Sequence, residues 1–466
     1  MGGIPFQTPS GTFDSIPPQA AARRRLEGRL RSLFEAWGYQ EVITPTLELD
    51  EVVTAAGGHL SSRHLFRFVD REGQVLVLRP DWTPAVARLI SARLKEAPLP
   101  LRLFYVGSVF RYDRRRPDDP TEFGQAGVEL VGPASEMADA EVMALAYESC
   151  RAAGVTAPHL ELGHAGYVQA LLGLLPEPSR QEARQALVRR DFVAFEAVVG
   201  RPGVSGEAAR ALAGLVESRG NDKALERALQ TCPVEGGRRA LRSLLRLMQH
   251  LRALGLEASV AVDLGMVKDL DYYTGPVFEL YAPGGGASLA TGGRYDTLMA
   301  RFGTPLPSTG FAASLDRLLA APGAGAGQAE ERGLDVWVLT APPGPEPPHA
   351  ALPDAPAREG GAWAAWELAR RLREAGLTAA VDPVERPASE SLDAARRRGA
   401  LWVAAPAGPA GPEAAARVTV WGWPLRSGSF EPTRLALDEL VAAVRRTPRP
   451  GMAGTPGSSP VSAQVD

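Results

Sequence analysis

At 466 residues with a formal charge of −3, the chain is long enough for two or three domains with sizeable cores. That near-neutral charge creates no demand for nucleic acid or an anionic membrane, and the positive charge is almost all arginine, with Lys95, Lys223 and Lys268 the only lysines. Cys150 and Cys232 lack metal-ligand spacing and read as free thiols, and no apolar run of about 18 residues is present, so the expectation is a soluble, cytoplasmic protein without membrane contact.

The first periodic stretch runs from about residue 18 to 37, with Leu26, Leu30, Leu33, Phe34 and Trp37 on one helical face and Gly38 as its stop. A strand over Glu41–Thr44 ends at Pro45, and a second, Gln74–Arg79, runs into Pro80-Asp81-Trp82-Thr83 and a helix carrying Val86, Leu89, Ile90 and Leu94. Locally, Asp81 or Thr83 serves equally well as a helix N-cap or as a ligand group. Strands Leu101–Tyr112 and Gln125–Gly132 flank a loop whose Arg114, Arg115 and Arg116 are balanced by Asp118 and Asp119. A helix over Ala138–Ala153 and a strand over His159–His164 follow. His164 has no nucleophile or acid beside it in sequence and reads as structural.

Residues 167–256 change to helical, Ala/Leu/Arg-rich sequence, with helical spacing over Arg184–Val199, Glu207–Glu217 and Arg238–Leu254. Acidic residues alternate with the arginines there, which favours a solvated face over an RNA-gripping one. Strands are expected over Ala261–Gly265 and Tyr272–Tyr281, joined through a polar turn at Lys268-Asp269, then Gly292-Gly-Arg-Tyr-Asp296 and a strand-to-helix unit over Ser308–Leu318. Beyond a Gly/Ala linker, residues 334–446 read β-α-β-α-β-β-α, with helices at Gly361–Ala375, Ser389–Arg398 and Thr433–Arg445. The Pro/Gly/Ser/Ala-rich tail, 447–466, is expected to be disordered.

Three stretches carry a family resemblance: Arg79-Pro-Asp-Trp-Thr-Pro-Ala-Val-Ala-Arg88, Glu122-Phe-Gly-Gln-Ala-Gly-Val-Glu-Leu-Val-Gly132 and Asp271-Tyr-Tyr-Thr-Gly-Pro-Val-Phe-Glu279. They resemble histidyl-tRNA synthetases, over roughly residues 10 to 320. The first helix and strand resemble motif 1 of class II aminoacyl-tRNA synthetases, Leu101–Gly132 motif 2 and Ser308–Leu318 motif 3. The implied fold is α+β: an antiparallel sheet flanked by helices over 1–325, with the helical insertion inside it. A linker at 326–333 and a small C-terminal α/β domain at 334–446 complete the expected organisation. By the same resemblance Asp81, Thr83, Gln125, Glu129, Tyr272 and Tyr273 line a histidine pocket, while Arg111 and Arg317 stand where the family holds ATP. Motif 1 implies a homodimer.

Departures from the synthetase pattern carry the functional argument. The loop arginine that contacts ATP falls on Asp119, and an aspartate about 4 Å from a phosphate charge costs roughly 4 kcal/mol at an effective dielectric of about 20. The family's Arg-Gly before the tyrosine pair is Lys268-Asp269, and lysine lacks arginine's two-pronged donor set. Trp82 adds bulk where the synthetase has glycine. The C-terminal domain has no lysine, and its arginines are matched by acids, so no footprint for tRNA is visible. Amino-acid contacts are kept while nucleotide contacts are partly lost, a pattern similar to the non-catalytic paralogues that regulate ATP phosphoribosyltransferase. That resemblance implies a short-form catalytic subunit as partner, histidine as ligand, and neither catalysis nor a cofactor. A divergent histidyl-tRNA synthetase is the alternative, and an enzyme activating another amino acid, permitted by Arg111 and Arg317, is a third class.

Overall fold

The computed structural model describes residues 7–57, 64–112, 120–217, 219–268, 272–322, 334–340, 361–382, 388–406, 419–425 and 433–447. The expected linker 326–333, residues 448–466 of the expected tail, and Asp119 and Asp269 lie outside the described residues. The chain divides into two compact units, Met1–Gln328 and Ala329–Asp466.

In the first unit α1 (Pro17–Ala36) starts on two prolines, whose fixed φ suits a first helical turn, and Gly38 at φ 81° ends it. Next come β1 (Gln40–Glu41), β2 (Leu47–Leu49), α2 (Asp50–Ala55), β3 (Arg67–Val69), β4 (Val75–Leu78), α3 (Trp82–Arg93), β5 (Leu101–Phe110) and β6 (Glu122–Val131). Then α4 (Glu136–Ala152) and β7 (His159–His164) lead into α5 (Ala165–Leu172), α6 (Ser179–Arg189), α7 (Phe192–Val199), α8 (Gly206–Glu217), β8 (Arg219–Gly220), α9 (Asp222–Thr231) and α10 (Glu235–Ala253). The unit closes with β9 (Val260–Asp263), β10 (Pro276–Tyr281), β11 (Ser288–Arg294), α11 (Leu298–Arg301), β12 (Ser308–Ser314) and α12 (Leu315–Ala320).

Nine strands form one sheet in the order β1-β5-β6-β12-β11-β10-β7-β9-β8, antiparallel from β5 through β7. Strand alternation gives its two faces different jobs. One face carries Phe104, Val128, Phe311, Phe278, Leu280 and Leu162, buried against Leu30 and Phe34 of α1, Leu145 of α4, Leu247 of α10 and Leu318 of α12. The opposite face carries Gly107, Gly127, Gly310, Gly293 and Gly163 beside Gln125, Glu129, Thr291 and Glu279. A glycine floor with a few polar side chains is a surface made for close approach.

Several expectations change here. The strands over 260–263 and 276–281 are not neighbours: β7 lies between them, parallel to β9 and antiparallel to β10, so Tyr272 and Tyr273 sit in a crossover rather than a strand. The helix expected over Arg184–Val199 is two helices, broken where Arg190 takes φ 55° and the Asp191 side chain accepts from Ala194 N to cap α7. The expected strand 41–44 is the short β1, while α9 and β8 were not anticipated. The inserted helices join the same core, since Leu244, Leu247 and Leu251 of α10 pack with the sheet, and β8 extends it.

The second unit is a sheet ordered β14-β13-β15-β16-β17, with β13 (Val336–Val338), β14 (Ala379–Val381) and β15 (Trp402–Pro406) parallel and β16 (Thr419–Pro424) and β17 (Thr433–Ala436) antiparallel. Helices α13 (Gly361–Glu374) and α15 (Leu437–Arg446) cover one face and α14 (Ala388–Arg397) the other. The last helix begins at Leu437 and not Thr433. Residues 433–436 pair with β16, and Glu439 accepts from Ala436 N at 2.8 Å, fixing the start one turn later.

Candidate functional site

On the glycine-rich face, Glu129 of β6 lies opposite Gly310 of β12, where any Cβ would overlap the Glu129 carboxylate. Gly127 likewise leaves room for the Tyr105 hydroxyl, and a Cβ at Gly107 would stand 2.8 Å from Trp82 Cζ2. These glycines let large side chains lie flat on the sheet.

The N-terminus of α3 faces this floor. Asp81 occupies the N-cap position, yet its side chain makes no capping hydrogen bond; it accepts instead from Tyr272 Oη at 3.3 Å and lies 3.9 Å from the Arg111 guanidinium. Thr83 Oγ1 donates to Glu129 Oε1 at 2.7 Å. Tyr295 donates to the other Glu129 oxygen in a short hydrogen bond. Tyr272, Tyr273 and Tyr295 form a ring cluster with centroids 4.8 to 6.4 Å apart. Asp81, Thr83, Glu129, Tyr272 and Tyr273 are all buried and converge on one place.

Gln125 shares the face and is also buried, and its Oε1 has no partner among the described residues. A buried carbonyl oxygen without a donor is costly and suits a ligand N–H. Arg111 donates Nε to Pro80 O at 2.6 Å and borders the cluster. Arg317 is exposed and donates to Ser288 O at 2.9 Å, tying α12 to β11 and making no hydrogen bond to the five convergent groups.

Lys268 is tied to the sheet. Its ammonium is 2.7 Å from Glu279 Oε1 and donates to Thr291 Oγ1 at 2.8 Å, with the side chain only 10% exposed. A cavity of about 40 Å³ lined by Val168, Gln169, Met266, Lys268 and Tyr273 adjoins it. Trp82 is stacked on Tyr105 at 4.8 Å and 9°, with Arg79 3.6 Å above its other face.

Electrostatics follow from burial. The Glu129 carboxyl is pushed up to about 8 by desolvation, against hydrogen bonds from Tyr295 and Thr83 that lower it. Burial also raises Tyr272, Tyr273 and Tyr295, so their hydroxyls stay protonated donors. His164 is driven down to about 4 by burial and is neutral at pH 7. Among the described residues no group of three His, Cys, Asp or Glu side chains could hold a metal ion, and no helix is long and apolar enough to cross a membrane.

Two residues escaped the sequence reading. Tyr295 lies in the Gly292-Gly-Arg-Tyr-Asp stretch, and its signal is Gly293, where a Cβ would stand 3.0 Å from Tyr273 Cδ1 on the site face. Arg294 beside it faces the interior. It holds Asp139 at 3.0 Å and the carbonyls of Pro133 and Ser135, which makes it a structural pin rather than a phosphate contact.

The family model for histidyl-tRNA synthetase matches residues 11–318. A relative from Symbiobacterium thermophilum named ATP phosphoribosyltransferase regulatory subunit is 45% identical over 409 residues, 86% of this chain and 97% of that protein. A Moorella thermoacetica protein of the same name is 43% identical over 322 residues, 69% of this chain and 83% of its own. The chain belongs to the ATP phosphoribosyltransferase regulatory subunit family. A solved regulatory subunit/histidyl-tRNA synthetase from Bacillus halodurans is 31% identical, with a TM-score of 0.72, 84% of this chain covered and 97% of that one. The histidyl-tRNA synthetase of a Nostoc species, 20% identical with a TM-score of 0.73 and 95% of this chain covered, shares the fold. This regulatory-subunit family member therefore keeps the α+β class II synthetase-like architecture expected from its motifs.

Proposed function

We propose that the chain is a non-catalytic regulatory subunit that joins a short-form ATP phosphoribosyltransferase catalytic subunit and makes its activity responsive to histidine. The observation that carries this reading is the 45% identity to a named regulatory subunit across nearly its whole length. The site geometry supports the ligand. Glu129 with a tyrosine hydroxyl offers the donor and acceptor an imidazole needs, Gln125 Oε1 is left to accept an N–H, and Asp81 suits an amino group. Chemistry is unsupported, because Lys268 is tied to Glu279 and the loop position of the ATP-binding arginine is Asp119.

A homodimer is proposed through the motif 1 region. The small sheet β2-β4-β3 turns Leu47, Leu49, Leu76, Leu78 and Phe68 to one face, all exposed or half-buried, and Ile43 nearby is 84% exposed. A contiguous apolar face of this kind marks an association surface. No tRNA role is proposed for the second unit.

The test mixes the purified chain with a short-form catalytic subunit and assays ATP phosphoribosyltransferase with and without histidine. Activity that requires both chains and falls with histidine is expected, with Glu129→Ala and Tyr273→Phe relieving the inhibition. Histidine-dependent pyrophosphate exchange by the chain alone, without effect on the partner, would instead establish a divergent synthetase.

A further inference from the structure

Two polar atoms beside the pocket are buried and have no hydrogen-bond partner: Trp82 Nε1 and Gln125 Oε1. Trp82 is 2% exposed and Gln125 8%, and a buried donor left without an acceptor is costly. The two share a neighbour. Gly107 of β5 pairs with Gln125 of β6, and a Cβ at Gly107 would stand 2.8 Å from Trp82 Cζ2, one bond from the carbon that bears Nε1. The indole does not donate to the glutamine, since neither atom is paired. Because an indole nitrogen only donates, its partner has to be an acceptor brought by a ligand.

The indole is held in place. Its faces are taken by Tyr105, stacked at 4.8 Å, and by the Arg79 guanidinium at 3.6 Å, which the carbonyls of Thr44, Pro45 and Ser108 fix in turn. A cation on the ring face draws electron density from the indole and strengthens Nε1–H as a donor. Trp82 is also the first residue of α3, which is 12 residues long and whose N-cap, Asp81, makes no capping hydrogen bond. With Pro84 third in the helix, Trp82 and Thr83 carry the first turn's N–H groups at the positive end of the helix dipole. An indole donor and a helix N-terminus at one place suit an anion.

The ammonium and carboxylate of an α-amino acid hang from one carbon, so the carboxylate is read beside the groups that read the ammonium. Asp81 adjoins Trp82 in the chain and Gln125 lies across from Gly107, so the indole borders both. Lys268 sits farther across the sheet, on Glu279 of β10 and Thr291 of β11, with β12 between those strands and β6. We propose that Trp82 Nε1–H and the N-terminus of α3 hold the carboxylate of the bound ligand, beside Asp81 and Gln125, which hold its ammonium. The ligand class is a zwitterionic α-amino acid, with Glu129 left for the ring. This deepens the histidine-pocket reading and rests on it. The tryptophan that fills the space above Gly107 also supplies a donor, and it becomes a specificity-determining residue.

Calorimetric titration of the full chain with histidine and with histamine, which lacks only the carboxylate, tests this. A hydrogen bond to a charged group is worth roughly ten- to hundred-fold in affinity, so histidine is expected at least about 10-fold tighter than histamine. Trp82→Phe keeps a ring on Tyr105 and removes the donor. It should weaken histidine by about 10-fold and histamine by less than about 3-fold, so the ratio between them collapses. Thermal unfolding checks that the variant is folded. The indole N–H proton resonance missing from Trp82→Phe identifies Trp82 in the unaltered chain; it should move downfield with histidine and stay in place with histamine. A ratio unchanged in Trp82→Phe, or an indole proton indifferent to histidine, overturns the inference while leaving the histidine pocket intact. So does a ratio that collapses in Arg111→Met, Lys268→Met or Arg184→Met and survives in Trp82→Phe, since a cation would then read the carboxylate. If neither ligand binds, the pocket reading fails, and this inference with it.

Discussion

Glutamine at position 129 tests whether burial holds this carboxyl neutral. In the folded chain Glu129 titrates at about 8, with desolvation the largest cause, against an ordinary value of 4.5. Between those values the folded state keeps a proton that the unfolded chain has released. The sign is therefore fixed: this contribution to stability is fully present below pH about 4.5 and is lost as pH rises through about 8. Integrated from pH 5 to pH 8, the loss is on the order of 3 kcal/mol, since each pKa unit is worth about 1.4 kcal/mol. Glu129→Gln keeps the shape, still accepts from Thr83, and does not titrate. Over that range it should lose about 3 kcal/mol less than the parent, and its stability should exceed that of the parent at pH 8. Urea titrations at pH 5, 6, 7 and 8, read by hydrogen exchange in peptides covering Glu122–Val131, isolate the first unit. Parallel profiles for parent and variant would refute the reasoning, because a normally titrating carboxylate would add no slope there.

Replacing Gly310 with alanine forces a Cβ into the Glu129 carboxylate and the Val128 carbonyl, so a loss of about 1–3 kcal/mol in unfolding free energy and weakened histidine binding are expected. Arg294→Ala strands Asp139, whose side chain is 2% exposed, and should cost about 3–5 kcal/mol in urea unfolding. The double change Leu49→Asp and Phe68→Asp puts charges on the apolar face of the small sheet. It should convert a dimer to a folded monomer in sedimentation velocity.

Much of the fold was legible because the pattern is local. The face of α1, the alternation in β5 and β6, and the motif order each follow from residues a few positions apart. What was not legible depends on residues far apart in sequence. Nothing between Val262 and Glu279 tells that β7, a hundred residues earlier, returns to lie between β9 and β10. The N-cap ambiguity at Asp81 was of the same kind: local sequence allowed a cap, and only Tyr272, 191 positions away, draws the carboxylate elsewhere. The start of α15 is hidden in the sequence for a different reason. Thr433–Ala436 has no strong period of its own, and its strand exists because β16 offers an edge to pair with. In the site, five of the six residues expected to hold histidine converge through hydrogen bonds and ring contacts, with Gln125 on the same face. The two expected to hold nucleotide have partners of their own: Pro80 and Asp81 for Arg111, Ser288 for Arg317.

That division supplies a physical argument for binding without chemistry. Phosphate chemistry needs preorganised positive charge in a space large enough for a nucleotide. Here the space above Gly107 is filled by Trp82, held between Tyr105 and Arg79 and only 2% exposed. Emptying such a site would forfeit about 3–5 kcal/mol of packing. The charge is spent as well: Arg79 on backbone carbonyls, Lys268 on Glu279 and Thr291. Restoring Arg at 268 alone would leave Glu279 to capture it, and restoring it at 119 alone would leave the indole in place. Recovery of adenylation would therefore require changes at 82, 119, 268 and 279 together, a barrier that separates this pocket from its synthetase relatives more securely than any single substitution.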